Sequence, residues 1–147
     1  MKKRLFSLSI VLALLAAFLV PASATPALTS SFEIYFLDVG QADSALVICD
    51  GETMLIDGGN VADSSYVYSF LKSHNISHLD YMVCTHPHED HVGGLAGALN
   101  YATADVVLCS MTEYDTKAFG SFVKYLGDTP ITVPNHGDSF QLGSSVV

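Results

Sequence analysis

The sequence is poor in basic residues. It contains six lysines and arginines against fifteen aspartates and glutamates, which gives a net charge of −9. Three of the six, Lys2, Lys3 and Arg4, lie at the start of the chain, and no basic stripe follows them. An acidic surface of this kind repels nucleic acid phosphates unless bound metal offsets the charge locally. We therefore expect no stable binding of nucleic acid.

Cysteine is also scarce, and the three cysteines form an odd number: Cys49, Cys84 and Cys109. Each lies in an apolar, strand-like stretch, and the sequence contains no Cys-x-x-Cys pair. This spacing excludes a zinc ribbon and a dithiol redox motif. We expect three buried free thiols, with a disulfide as the alternative.

Long apolar runs are absent except near the N-terminus. The stretch from Leu5 to Val20 is almost wholly apolar, follows a basic start and precedes a small-x-small site at Ala22–Ala24. This order is typical of a secretory signal peptide. The run of about 16 residues is shorter than the roughly 20 that a membrane-spanning helix needs, although an uncleaved anchor is the alternative. We expect cleavage after Ala24 and a linker at 25–31.

The predicted cleavage has consequences for charge and location. It leaves three lysines against fifteen carboxylates, a net charge of −12. We expect the mature protein to be secreted or extracytoplasmic, and to meet a membrane only through its export signal.

The rest of the sequence alternates strand-like and helix-like segments. The predicted strands are 32–40, 44–50, 53–59, 79–85, 105–110, 131–135 and 139–143, and the predicted helices are 64–75, 93–102 and 116–128. The Asp50-Gly51 pair predicts a hairpin turn between the second and third strands. This order favours a layered α/β or α+β domain at 32–147. Because Val146 and Val147 resemble the start of another strand, we expect the polypeptide to be incomplete.

A dense group of metal-ligand residues follows the fourth predicted strand, in the stretch THPHEDHVGG. His86, His88, Asp90 and His91 form the pattern H-x-H-x-D-H, and imidazole and carboxylate are usual zinc ligands. Residues two apart in an extended loop point the same way, so His86 and His88 can bind one ion. Asp90 and His91 lie beyond a turn and can face a second ion. Two ions roughly 3.5–4 Å apart activate a water molecule as the nucleophile of a hydrolysis, and Asp90 can hold or accept its proton.

Two alternatives compete with this metal site. The His-Glu-x-x-His motif of helical zinc proteases requires a second histidine at position 92, where this chain has Val92. A solvated, histidine-rich loop without metal is the other alternative. The three remaining histidines are interpreted as surface residues: His74, His78 and His136.

Three stretches, FLDVGQADSALV, TMLIDGG and LDYMVCTHPHEDHVGGL, together resemble the metallo-β-lactamase fold superfamily of hydrolases. The first is similar to the branch that contains the hydrolase-like domain of the DNA-uptake competence protein ComEC, although that branch usually has glycine in place of Ala42. The resemblance covers residues 32 to about 143. It implies a four-layer αββα sandwich, of which this chain holds about the first half.

The resemblance also implies roles for the histidine-rich loop. His86 and His88 match the ligands of the first metal ion, and Asp90 and His91 match those of the second. Asp90 further matches the carboxylate that orients water, which makes it the predicted catalytic residue. Asp57 matches a residue that supports the metal loop by hydrogen bonds, with a plain turn residue as the alternative.

The resemblance assigns no single role to the remaining candidate residues. Gln41 and Asp43 match the branch loop near the site, with turn chemistry as the alternative. The family's bridging aspartate and late histidine have no match in this chain, since Asp128, Asp138 and His136 lie in other contexts. We expect those two ligands beyond Val147.

The sequence therefore predicts a secreted metal-dependent hydrolase. The resemblance implies two zinc ions in the complete fold, with manganese as the alternative metal. The predicted substrate is a phosphodiester, such as extracellular nucleic acid, or another small molecule. The alternative function is that of a truncated remnant that binds metal without turnover.

Overall fold

The computed structural model describes residues 30–147, which form a mixed sheet with helices on one face. The predicted signal peptide at 1–24 and most of the predicted linker at 25–31 lie outside the described residues. Within the described part of the chain, no helix is long and apolar enough to cross a membrane.

The predicted strands and helices are present, with shifted bounds. The strands are β1 (Phe32–Phe36), β2 (Ala45–Cys49), β3 (Glu52–Ile56), β4 (His78–Cys84), β5 (Thr103–Cys109), β6 (Ile131–Thr132), β7 (Gln141–Leu142) and β8 (Ser145–Val146). The helices are α1 (Ser64–Ser73), α2 (Glu89–Val92), α3 (Leu95–Leu99) and α4 (Lys117–Leu126), and a short 3-10 turn, Val61–Asp63, precedes α1. The layered α/β prediction is therefore confirmed.

The main sheet has the strand order β1-β2-β3-β4-β5-β6. The first three strands pair antiparallel, and the β2–β3 connection is a tight turn in which Asp50 and Gly51 have φ values of 53° and 92°. Both values suit a two-residue hairpin, as the sequence predicts. Strands β3 to β6 pair parallel, and helices connect them.

This topology gathers several strand ends at one edge of the sheet. The parallel strands β3, β4 and β5 all end there, and β1 runs in the same direction as β3 because both are antiparallel to β2. The loops that follow β1, β3 and β4 therefore meet at the carboxyl edge, where layered α/β folds commonly place their sites.

The two faces of the sheet are covered unequally. On one face, the helices enclose the main core, whose largest buried side chains include Leu46, Leu55, Leu71, Met82, Phe119 and Phe122. On the other face, the β7–β8 hairpin inserts the buried Leu142 against Val47, Cys49 and Met54. Phe140 packs beside Tyr81 on this face, whereas Phe36 on the edge strand is 84% exposed among the described residues.

The helix predicted over 93–102 is present but shorter, since it covers only Leu95–Leu99. The chain turns into α2 already at Glu89, breaks at Gly93–Gly94, and resumes as α3. The break occurs because the two glycines pack against backbone, and a side chain on Gly94 would overlap the carbonyl oxygen of Gly58. As a result, Asp90 and His91 lie on a helical turn.

Two other local predictions are confirmed. The three cysteines are free and buried. Asn75, predicted to end the first helix, adopts the left-handed conformation just beyond α1, with φ of 57°. The predicted strand at 32–40 is shorter than expected, because residues 37–44 leave the sheet and form a loop at the carboxyl edge.

Candidate metal centre

The histidine-rich loop lies at the carboxyl edge of the sheet, between β4 and α2. His88 has extended backbone, with φ of −68° and ψ of 154°, and is the N-cap residue of α2. Asp90 and His91 then fall in the single turn of α2. Because the extended backbone at His88 is followed directly by a helical turn, Asp90 and His91 fold back toward His86.

Three of the four predicted ligands form a compact group. One ligand atom each of His86, Asp90 and His91 lies within 4.8 Å of the others. The rings of His86 and His91 are 3.7 Å apart between centroids. His88 lies outside this group but beside it, with its ring centroid 4.8 Å from that of His86.

The buried Asp57 contacts the His91 ring at Nδ1, on the interior side of the site. Its carboxylate is 2% exposed and accepts hydrogen bonds from the backbone N–H of Thr85 at 2.8 Å and from the Thr85 hydroxyl at 2.6 Å. The Asp57 Oδ2 atom also lies 2.9 Å from Nδ1 of His91. A ring that donates its Nδ1 proton to a carboxylate presents an unprotonated Nε2, which is the state that binds metal.

Backbone hydrogen bonds join the loop after β3 to the helical turn that carries the ligands. The N–H of Gly58 donates to the carbonyl of His91 at 2.7 Å, and the N–H of Gly94 donates to the carbonyl of Gly59 at 3.2 Å. Side chains at Gly58 and Gly94 would push the two backbones apart. The close approach therefore explains why both positions are glycines. The position of His91 is thereby fixed at its main chain as well as at its ring.

The loop that follows β1 reaches the same place. The N–H of Asp43 donates to the carbonyl of Asp90 at 3.1 Å, and the carbonyl of Asp43 accepts from the N–H of Gly59 at 2.8 Å. The Asp43 side chain is 73% exposed, and its Oδ2 lies 3.6 Å from Nε2 of His91. Gln41 is exposed two residues earlier in this loop. The structure thus brings Asp43 to the site, a position for which the sequence left turn chemistry open.

A pair of buried thiols lies beneath the loop. Cys84 and Cys109 are opposite each other in the β4–β5 register, and Sγ of Cys84 donates to the carbonyl of His86 at 3.2 Å. The hydrogen bond with Cys109, together with burial, raises the pKa of Cys84. Cys84 therefore stays a neutral thiol that supports the loop backbone.

Thr85 has a role that sequence reasoning did not identify. Its backbone and its hydroxyl both bind Asp57, so it connects the end of β4 to the residue that orients His91. The only sequence signal was its place between a buried strand and the first histidine. A threonine at a strand end is too common for this position to have been distinguished.

The donor set fits a divalent transition metal. Two imidazoles and a carboxylate converge, and one imidazole is oriented by a buried carboxylate, as metal-bound histidines usually are. These donor types suit zinc and manganese alike, so they do not select between the two.

Comparisons with known proteins identify the family of this chain. Residues 37–145 match the profile of the family described as Metallo-beta-lactamase superfamily. No curated protein matches the sequence.

Among solved structures, the chain is similar to the metallo-beta-lactamase SMB-1 bound to 2-mercaptoethanesulfonate, at 22% identity and a TM-score of 0.56, over 74% of this chain and 46% of that one. It is also similar to a diphosphatase from the PhnP family, at 20% identity and a TM-score of 0.41, over 69% and 40% of the two chains. The chain therefore spans less than half the length of either structure. The first likeness confirms the predicted fold type, of which the described residues supply a helical layer and a sheet.

Proposed function

The chain belongs to the metallo-beta-lactamase superfamily, and on that premise we propose that it carries the metal-binding part of a secreted, metal-dependent hydrolase. The observation that carries the proposal is the convergence of His86, Asp90 and His91 at the carboxyl edge of the sheet. Secretion is supported by the signal-peptide pattern at 1–24.

The residues of the site divide into metal ligands, a carboxylate that also handles water and a residue that orients one ligand. His86, His88, Asp90 and His91 would hold the metal, which when bound activates water and neutralises an anionic substrate. Asp90 has a side chain that is 48% exposed, so its carboxylate can also orient the attacking water or accept its proton. Asp57 keeps Nε2 of His91 turned outward through the hydrogen bond at Nδ1.

A phosphodiester is the substrate class that we propose. Its support is the likeness of the stretch FLDVGQADSALV, at 36–47, to the competence branch of the superfamily. The acidic chain repels a phosphate backbone unless metal is present, so we expect catalytic contact with the substrate rather than stable binding of nucleic acid.

Metal binding is the first test. We expect the purified protein to take up zinc or manganese at micromolar concentration, and the double variant His86→Ala, His88→Ala to lose this binding because two imidazole donors are removed. His78→Ala is the control, since His78 is an exposed histidine at the start of β4, at the opposite edge of the sheet from the site. Isothermal titration of the three proteins measures the effect. A native protein that binds no divalent metal at these concentrations contradicts the proposal.

Turnover is the second test. We expect the 147-residue chain to hydrolyse bis-p-nitrophenyl phosphate little or not at all, because the bridging aspartate and late histidine of the family have no match in it. The alternative function, metal binding without turnover, is favoured by the same observation. Robust hydrolysis that Asp90→Ala abolishes would show instead that this chain contains a sufficient site.

A further inference from the structure

We propose that Asp43 supplies an additional oxygen ligand to the cation held by Asp90 and His91. The inference rests on the proposed metal-binding function and adds to it a ligand from the loop at 37–44, outside the H-x-H-x-D-H pattern. It follows from the surroundings of one ring nitrogen and from the way in which backbone hydrogen bonds fix this loop.

Nε2 of His91 is the ring nitrogen that does not contact Asp57. This atom faces two carboxylates, with Oδ2 of Asp90 at 3.5 Å and Oδ2 of Asp43 at 3.6 Å. Both distances exceed the usual range of about 2.7–3.2 Å for an N–H···O hydrogen bond. In the tautomer that donates the Nδ1 proton to Asp57, Nε2 offers only a lone pair, and a carboxylate likewise offers only lone pairs. Two carboxylates placed around such a nitrogen are favourable when a cation lies between the nitrogen and the carboxylate oxygens.

Asp43 is held beside the site by its backbone. Its N–H and its carbonyl are both used in hydrogen bonds, to Asp90 and from Gly59. The main chain of Asp43 is thus held against the site whatever its side chain does. A carboxylate presented in this way needs little rearrangement to bind a cation, because its backbone is ordered in advance.

The side chains of His91 and Asp43 differ in burial. The His91 side chain is 13% exposed, whereas that of Asp43 is 73% exposed. Asp43 therefore closes the solvent side of the group, opposite the buried Asp57. In this position it would bind the metal from the side on which water and substrate arrive.

The experiment compares metal affinity in three versions of the full chain: native, Asp43→Asn and Glu89→Gln. Glu89 is an exposed carboxylate on the same helical turn as Asp90, so its removal reports the effect of charge alone. Titration with zinc or manganese should show a loss of roughly tenfold or more for Asp43→Asn, because losing a ligand costs at least as much as losing a residue that orients one. The loss for Glu89→Gln should stay below about threefold, as expected for one exposed charge.

A spectroscopic measurement separates coordination from charge. Cobalt(II) bound to the native protein and to Glu89→Gln should give the same visible spectrum, while Asp43→Asn should change its intensity and position. Asp43→Glu, which restores a carboxylate, should recover part of the affinity that Asp43→Ala loses. Thermal unfolding in the presence of a chelator confirms that the variants fold, and the cobalt comparison between Asp43→Glu and Asp43→Ala decides the matter if Asp43→Asn is unstable.

The possible outcomes distinguish this inference from the proposed function. If the native protein binds metal and Asp43→Asn binds it equally well, or loses no more affinity than Glu89→Gln, the assignment of Asp43 is overturned and the metal site stands. If the native protein binds no divalent metal, both proposals fall. A selective loss with an altered cobalt spectrum supports Asp43 as a ligand.

Discussion

Asp57 meets three physical demands at a single position. It is buried, its φ of 56° lies in the left-handed region, and its carboxylate serves Thr85 twice and His91 once. Aspartate and asparagine tolerate this backbone better than most residues. The position therefore requires a short side chain with acceptors on both oxygens, which aspartate alone provides.

Asp57→Asn is predicted to weaken metal binding by about 10–100-fold, the usual effect of losing a group that orients a metal ligand. An amide in place of the carboxylate keeps size and backbone preference but puts an N–H where one acceptor was needed. Competition with a chelating dye measures the affinity. Asp128→Asn, which removes an exposed carboxylate elsewhere, is the charge control. Equal affinity in both variants would contradict the orienting role of Asp57.

At the scale of elements, the site depends on loops that pack backbone to backbone. The connection after β3 contacts the α2–α3 break through Gly58 and Gly94, and Gly58 also donates its N–H to the carbonyl of His91. Their contact leaves no room for side chains. The spacing of the two loops, and with it the position of His91, is therefore set by two glycines.

Gly94→Ala is predicted to destabilise the protein by about 1–3 kcal/mol, since the new methyl group overlaps the Gly58 carbonyl and the loops must separate. Gly120→Ala is the matched control. Gly120 lies within α4 and has open space around it, so alanine there is predicted to stabilise by about 0.5–1 kcal/mol. Chemical denaturation of both variants measures these changes. Effects of the same sign would show that the close packing at Gly94 does not govern stability.

At the scale of the whole molecule, Asp50 joins three distant segments. Its carboxylate accepts from the N–H of Ser144 at 2.9 Å, from the N–H of Ser31 at 2.7 Å and from the hydroxyl of Ser30 at 3.3 Å. It thereby connects the β2–β3 turn with the entry to β1 and with the turn of the β7–β8 hairpin. Hydrogen bonds from Ser144 and Ser31 lower the pKa of Asp50 to about 2.

The stability contributed by Asp50 is predicted to depend on pH. The pKa in the folded state, about 2, lies below the ordinary value of about 3.9 in the unfolded chain, so unfolding takes up a proton between these values. The stabilisation is present above about pH 4 and disappears as the pH falls toward 2. Denaturation curves between pH 2 and 6 should therefore show Asp50→Asn well below the native protein at pH 6 and close to it at pH 2. A gap that does not change with pH would contradict this.

The sequence by itself determined the local chemistry of this protein. The H-x-H-x-D-H pattern identified the donor types, Asp50-Gly51 identified a hairpin, and short apolar stretches located the strands. These features depend on neighbours along the chain, because turn preference and the composition of a short segment are local properties of the chain.

The tertiary structure alone decided which distant residues meet. Asp43, Asp57 and His91 come together because β1, β3 and β4 end at one edge of the sheet, and nothing in their spacing along the chain implies this. The helix break at Gly93–Gly94 likewise follows from contact with a loop over thirty residues earlier. Residue types were therefore readable from the sequence, whereas distances between them were set by strand direction and by the close packing of loops.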